Sequence, residues 1–181
     1  MKLVKSPLAD CFIIEPTLFE DERGYFYEKY NQAQFEQSTG MNGHFVQDNL
    51  SKSSFGVIRG IHWQKEEHAQ AKLVSCLEGV VWDVAVDLRK NSPTFGKWYG
   101  VELSEKNKLQ FYIPRGFGHG FSVLSDTAVF AYKCDNYYKK ESEGGLIWND
   151  STLKIDWKLP LEKVIISQKD QELPSFSTSD F

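Results

Sequence analysis

Short runs dense in β-branched and aromatic residues, each closed by turn formers, leave little of this chain for helices. FIIEP, GYFYEKY, KLVSCLEG, VVWDVAVDLR, KWYGVELS, LQFYIP, GFSVLS, TAVFAYKC and KVIIS succeed one another with the spacing of strands joined by tight connections. The best helical candidate is NQAQFEQSTG, in which Asn31 is placed to cap, Phe35 to face inward and Gly40 to stop the turn. Many strands with few short helices predict a mainly β fold, an antiparallel sandwich or barrel such as a jelly roll. With 181 residues, no internal repeat and no linker, one domain spanning residues 1–181 is expected.

Side chains alternate between the two faces of a strand, so parity indicates what a barrel interior holds. Lys72 shares a face with Val74 and Cys76, Asp83 with Val81 and Ala85, and Tyr132 with Phe130 and Cys134. One polar group among apolar neighbours on strand after strand is the pattern of an interior pocket rather than a filled core. The run SSFGVIRGIHWQ is the anomaly, because it has strand composition yet carries Arg59, His62 and Gln64. Buried polar groups need compensation, and Arg59 and His62 have opposite parity. Gly60 between them suits a bulge that turns both inward, which predicts irregular pairing there.

The formal net charge of −4 gives no support for a nucleic-acid or membrane surface, although a local group of Arg and Lys could still meet a small anion. The start MKLVKSPLADCFIIEP breaks at Pro7 and Asp10 before any signal-like apolar run, and no later run approaches a membrane span. A cytoplasmic protein is expected. Cys11, Cys76 and Cys134 are odd in number and widely separated, which suits small core hydrophobes rather than a disulfide framework or a zinc site.

FEDERGYFYE, FVQDNLSKS, VIRGIHWQ, AKLVSCLEGVVWDVAVDLRKNSPTFGKW, YIPRGFGHGFSVLSD and EGGLIWND stand in the order found in the dTDP-4-dehydrorhamnose 3,5-epimerases. The chain resembles that family from about Pro16 to Asp170. The resemblance implies a cupin-type double-stranded β-helix and an enzyme that converts dTDP-4-dehydro-6-deoxy-glucose to dTDP-4-dehydro-L-rhamnose, inverting the carbons on either side of a ketone. Such chemistry needs a base, a group that stabilises an enolate oxygen and an acid on the opposite face, and it requires no metal or redox cofactor.

By resemblance His62 is the base, Asp170 its partner, Tyr132 the proton donor and Lys72 the group at the carbon-4 oxygen. Asp170 also stands three residues after Ser167, as in a capping box, and the two roles are compatible. Arg23, Arg59 and Lys169 match positions near the nucleotide, where cations would offset the pyrophosphate. Glu28, Gln47 and Asn49 match polar contacts to the nucleotide, and Phe26 and His119 match pocket positions. Tyr138 falls where the family stacks an aromatic ring on thymine. Glu143 is carried over too, although its loop YKKESEGG reads equally as a solvated charged turn. Arg115 departs from the family pattern and adds a cation near the pocket mouth. The resemblance also implies a homodimer in which the N-terminal segment brings Arg23 and Glu28 into the partner's pocket.

Two other enzyme classes and a binding module compete with this reading. A metal-dependent cupin needs a second His close to the first, but Trp63 and Gln64 follow His62, and His44 and His68 are not spaced to replace it. A module that only binds nucleotide sugars has no use for an acid and a base together. An epimerase that inverts one carbon of a related 4-keto sugar would carry the same residues.

Overall fold

The computed structural model describes residues 1–179 and 181. In chain order its elements are β1 (Lys2–Lys5), β2 (Phe12–Glu15), β3 (Phe19–Asp21), β4 (Gly24–Phe26), α1 (Gln32–Thr39), β5 (Gln47–Ser54), β6 (Ile58–Gln64) and β7 (Lys72–Glu78). There follow β8 (Val80–Asp87), β9 (Trp98–Ser104), β10 (Gln110–Ile113), β11 (Phe117–Val123), β12 (Thr127–Cys134), β13 (Glu143–Gly145) and α2 (Gln168–Gln171). Two antiparallel sheets dominate, one six-stranded in the order β1-β2-β10-β7-β12-β5 and one five-stranded in the order β13-β6-β11-β8-β9. This is the cupin-type jelly roll. A separate hairpin, β3-β4, stands outside both sheets.

The main core lies between the two sheets. Val74, Cys76, Phe111, Ile113 and Phe130 come from the larger sheet, and Val81, Ala85, Val101, Leu103, Phe121 and Val123 from the smaller. Alternate residues of the same strands face outward and are covered as well. Ile58, Ile61, Val84 and Val86 pack under the C-terminal segment with Leu146, Leu153 and Trp157. Leu73, Ile14 and Tyr112 pack beneath Phe35 of α1. VVWDVAVD is therefore largely apolar on both faces because both faces are buried, and the buried polar exceptions, Asp83 in its middle and Asp87 at its end, share the inward parity. Cys11, Cys76 and Cys134 are buried and unbridged, as small apolar side chains would be.

Helix α1 forms where the capping residues place it. The Asn31 side chain accepts from the Gln34 N–H, and Gly40 ends the helix in the left-handed conformation at φ +70°. KVIIS, expected as a strand, contributes only a single parallel bridge between Ile165 and Val57. GYFYEKY is a strand only over Gly24–Phe26, in the β3-β4 hairpin.

The predicted irregularity in β6 is present. β11 pairs His119 with His62 and Phe121 with Arg59, so two steps on β11 span three on β6. Gly60 sits in the slack at φ +114°, and a Cβ there would lie 2.6 Å from both the Gly120 Cα and the His119 carbonyl oxygen. The bulge resets parity, so Ile58 and Ile61 point outward while Arg59 and His62 both point in.

Candidate active site

The open end of the roll holds a cavity of about 760 Å³. His62, Lys72, Tyr132 and Asp170 line it, with Gln47, Asn49, Arg59, His119, Tyr138, Glu143 and Lys169. Strand parity accounts for most of this gathering. Gln47 and Asn49 are on the inward face of β5, Lys72 of β7, His119 of β11 and Tyr132 of β12.

His62 Nε2 lies 2.7 Å from Asp170 Oδ1. Burial alone would raise the Asp170 carboxyl, but the His62 hydrogen bond and charge, the Gly60 N–H and Ser167 together hold it below the usual carboxylate range. The ionised oxygen can only accept, so Nε2 carries the proton and Nδ1 keeps a free lone pair. Asp170 also completes its capping role, since its N–H donates to Ser167 Oγ at 3.2 Å in α2. The short helix thus fixes the carboxylate, and the carboxylate fixes the imidazole.

Tyr132 reaches the cavity from the six-stranded sheet, opposite His62 on the five-stranded one. Burial raises its phenol above the ordinary value, so the hydroxyl stays protonated at neutral pH. Lys72 Nζ lies 5.7 Å from the centre of the Tyr132 ring and 3.5 Å from His119 Nδ1. His119 Nε2 is in turn 2.8 Å from Asp83 Oδ2. Burial lowers both Lys72 and His119 from their ordinary values.

The outer part of the cavity is organised around Tyr138. Gln47 Oε1 accepts from the Tyr138 N–H at 3.0 Å and Gln64 Oε1 from the Lys139 N–H at 2.7 Å, so two side-chain amides seat the loop that carries the exposed ring. Glu143 Oε2 takes the Tyr138 hydroxyl at 3.2 Å and the Lys169 ammonium at 2.7 Å. The ion pair holds Glu143 below its usual value despite some burial. Arg59 reaches in from β6, with its Nε bonded to Ser53 Oγ at 3.0 Å.

Three sequence-predicted residues lie outside this cavity. Arg23, Phe26 and Glu28 are on or just after the exposed β3-β4 hairpin, where Arg23 pairs with Asp21 at 2.5 Å. The cation expected from Arg115 at the pocket mouth is also elsewhere. Arg115 does not line the cavity, because its Nε binds Asp135 Oδ2 at 2.8 Å while Asp135 Oδ1 takes the Ala71 N–H at 2.7 Å. It braces the start of β7 just before Lys72. Sequence reasoning left Gln64 without a role, since nothing in VIRGIHWQ shows that its partner is a backbone amide 75 positions away. Asp83 was visible as an inward carboxylate by parity, but its pairing with His119 was not.

Fold and site together define a jelly-roll enzyme whose pocket is furnished to take a proton on one side of a substrate and return one on the other. The sequence profile described as dTDP-4-dehydrorhamnose 3,5-epimerase matches residues 5–178. A dTDP-4-dehydrorhamnose 3,5-epimerase of Shigella flexneri is 51% identical over 181 residues, covering 100% of this chain and 99% of the relative. The crystal structure of the dTDP-4-dehydrorhamnose 3,5-epimerase from Elizabethkingia anophelis NUHP1 superposes with a TM-score of 0.97 at 71% identity, covering 100% of this chain and 99% of that one. A dTDP-6-deoxy-D-glucose-3,5-epimerase from Legionella pneumophila Philadelphia 1, in complex with dTDP-4-keto-L-rhamnose, matches at 49% identity with a TM-score of 0.94, covering 99% and 94%. The chain belongs to the dTDP-4-dehydrorhamnose 3,5-epimerase family, whose members are isomerases. No helix among the described residues is long and apolar enough to cross a membrane.

Proposed function

We propose that this chain epimerises dTDP-4-dehydro-6-deoxy-glucose at carbons 3 and 5, giving dTDP-4-dehydro-L-rhamnose. The observation that carries the reading is the approach of the His62–Asp170 pair and of Tyr132 to one cavity from opposite sheets. The carbon-4 ketone acidifies the hydrogens on both its neighbours. His62 Nδ1 takes one of them, and Asp170 stabilises the resulting imidazolium. The electron pair moves into the carbonyl, and Lys72 meets the enolate oxygen with its ammonium. The Tyr132 hydroxyl then gives a proton to the opposite face of the same carbon, which inverts it. The proton balance is one lost and one gained at each carbon, with no oxidation.

At the outer end, Tyr138 stacks on the thymine, and Arg59 and Lys169 offset the pyrophosphate, with Gln47, Asn49 and Glu143 as polar contacts. His119 faces the sugar beside Lys72. Incubation with the 4-keto substrate in deuterium oxide should place deuterium at both carbons of the product, read by NMR. Label at one carbon would reduce the chain to a single-site epimerase, and no label would sink the enzyme reading.

The active unit we propose is a homodimer. Phe19, Tyr25 and Phe26 are 62%, 58% and 69% exposed on the β3-β4 hairpin, and β5 is the free edge of the larger sheet beside the cavity. A hairpin laid along the partner's β5 would bring Arg23, Phe26 and Glu28 to the partner's nucleotide site. The expected result is a solution mass of two chains by light scattering, with Arg23→Ala weakening dTDP binding about tenfold or more. A monomer with full activity would overturn it.

A further inference from the structure

Asp83 has no exposed surface in the centre of β8, paired with Phe121 of β11 on one side and Val101 of β9 on the other. An isolated carboxylate at such depth is unfavourable, and a chain that needed only packing would place an apolar residue there. Its Oδ2 accepts from His119 Nε2 at 2.8 Å, and its Oδ1 has no partner among the described residues. With the Nε2 proton given to Asp83, a neutral His119 presents the lone pair of Nδ1 toward Lys72 Nζ at 3.5 Å. One tautomer satisfies both contacts. A carboxylate, a neutral imidazole and an ammonium are thus aligned from β8 through β11 to β7, and the ammonium end is in the cavity.

The surroundings leave Asp83 as the counter-charge for Lys72. From β12, Tyr132 and Cys134 face the ammonium, and burial keeps both protonated, the thiol raised to about 11. From β13, Glu143 faces it but is engaged by Lys169 at 2.7 Å. His62 acts on His119 from β6 and is held by Asp170. Arg59 of β6 faces Tyr132 and adds positive charge to the same cavity.

We propose that Asp83 is a positioning residue that, through His119, aims the Lys72 side chain at the carbon-4 oxygen and keeps it an ammonium in a buried site. This rests on the reading of Lys72 as the group that meets the enolate oxygen. The conservative change Asp83→Asn keeps a hydrogen-bond acceptor and removes the charge. It should lower kcat by about 10- to 100-fold with KM and dTDP affinity unchanged, and move the alkaline limb of the kcat profile to lower pH. In a Lys72→Met background the same change should cost nothing further. Unchanged kcat in a variant that still binds dTDP, or an additive loss in the Lys72→Met background, would overturn the relay. If Asp83→Asn fails to fold, 15N-histidine NMR of the unaltered protein still decides it. His119 is expected as the neutral Nε2–H tautomer, and an Nδ1–H tautomer or an imidazolium refutes the arrangement. Wild-type kcat in Lys72→Met with His119 in the expected tautomer would overturn the role of Lys72, and the relay's purpose with it.

Discussion

Replacing His62 by alanine is expected to remove deuterium exchange at both carbons, with kcat reduced by about a thousandfold or more. That corresponds to about 4 kcal/mol of lost barrier reduction at 1.36 kcal/mol per decade. The size follows from geometry. His62 is the imidazole of the cavity whose Nε2 is committed to a carboxylate at 2.7 Å while its other nitrogen has no hydrogen-bond partner among the described residues. His119 cannot substitute, because its two nitrogens face Asp83 and Lys72. Affinity for dTDP should be retained, since Tyr138, Glu143 and Lys169 form their own cluster at the outer end. Calorimetric titration with dTDP separates this result from misfolding. Exchange within tenfold of the unaltered rate would show that another group is the base.

Tyr132→Phe should separate two events that the intact enzyme joins. Inverted product should fall by about 100- to 1000-fold, because the face opposite His62 loses its donor. Proton removal by His62 does not need the phenol, so deuterium should still enter the substrate with retained configuration as the base returns a solvent-exchanged proton. The phenyl ring preserves the aromatic surface 5.7 Å from Lys72, so the variant tests the hydroxyl alone. The measurement is NMR of recovered sugar nucleotide, scoring label and configuration separately. Inversion at the unaltered rate would remove Tyr132 from the role of acid.

What could be read from the residues followed where burial was one-sided or where backbone chemistry was local. Helix α1 announced itself through Asn31 and Gly40, and the inward polar residues Lys72, Asp83 and Tyr132 followed from alternation. The bulge at Gly60 was legible because Arg59 and His62 could not otherwise share a face. β5 was missed as a strand, since in QDNLSKSS the inward residues are polar and the outward ones, exposed Leu50 apart, are polar too, so no apolar alternation marks it. β-propensity is low there because the strand serves the pocket. KVIIS misled in the opposite sense. Val164 and Ile166 pack against the outer layer without a ladder, so its apolar character reflects burial rather than pairing. Partners distant in sequence, such as Gln64 with Lys139 and Arg115 with Asp135, depend on loop paths that no periodicity encodes.

The β6 strand holds His62 and, two residues on, the Gln64 amide that seats the loop carrying Tyr138. Those two positions are about 7 Å apart along a strand paired on both edges, so under the proposed function the segment would work as a ruler between the reacting carbons and the nucleobase. A ruler selects by length. A sugar joined to its nucleoside through a single phosphate would place either the ring or the base out of register, whatever the identity of the sugar.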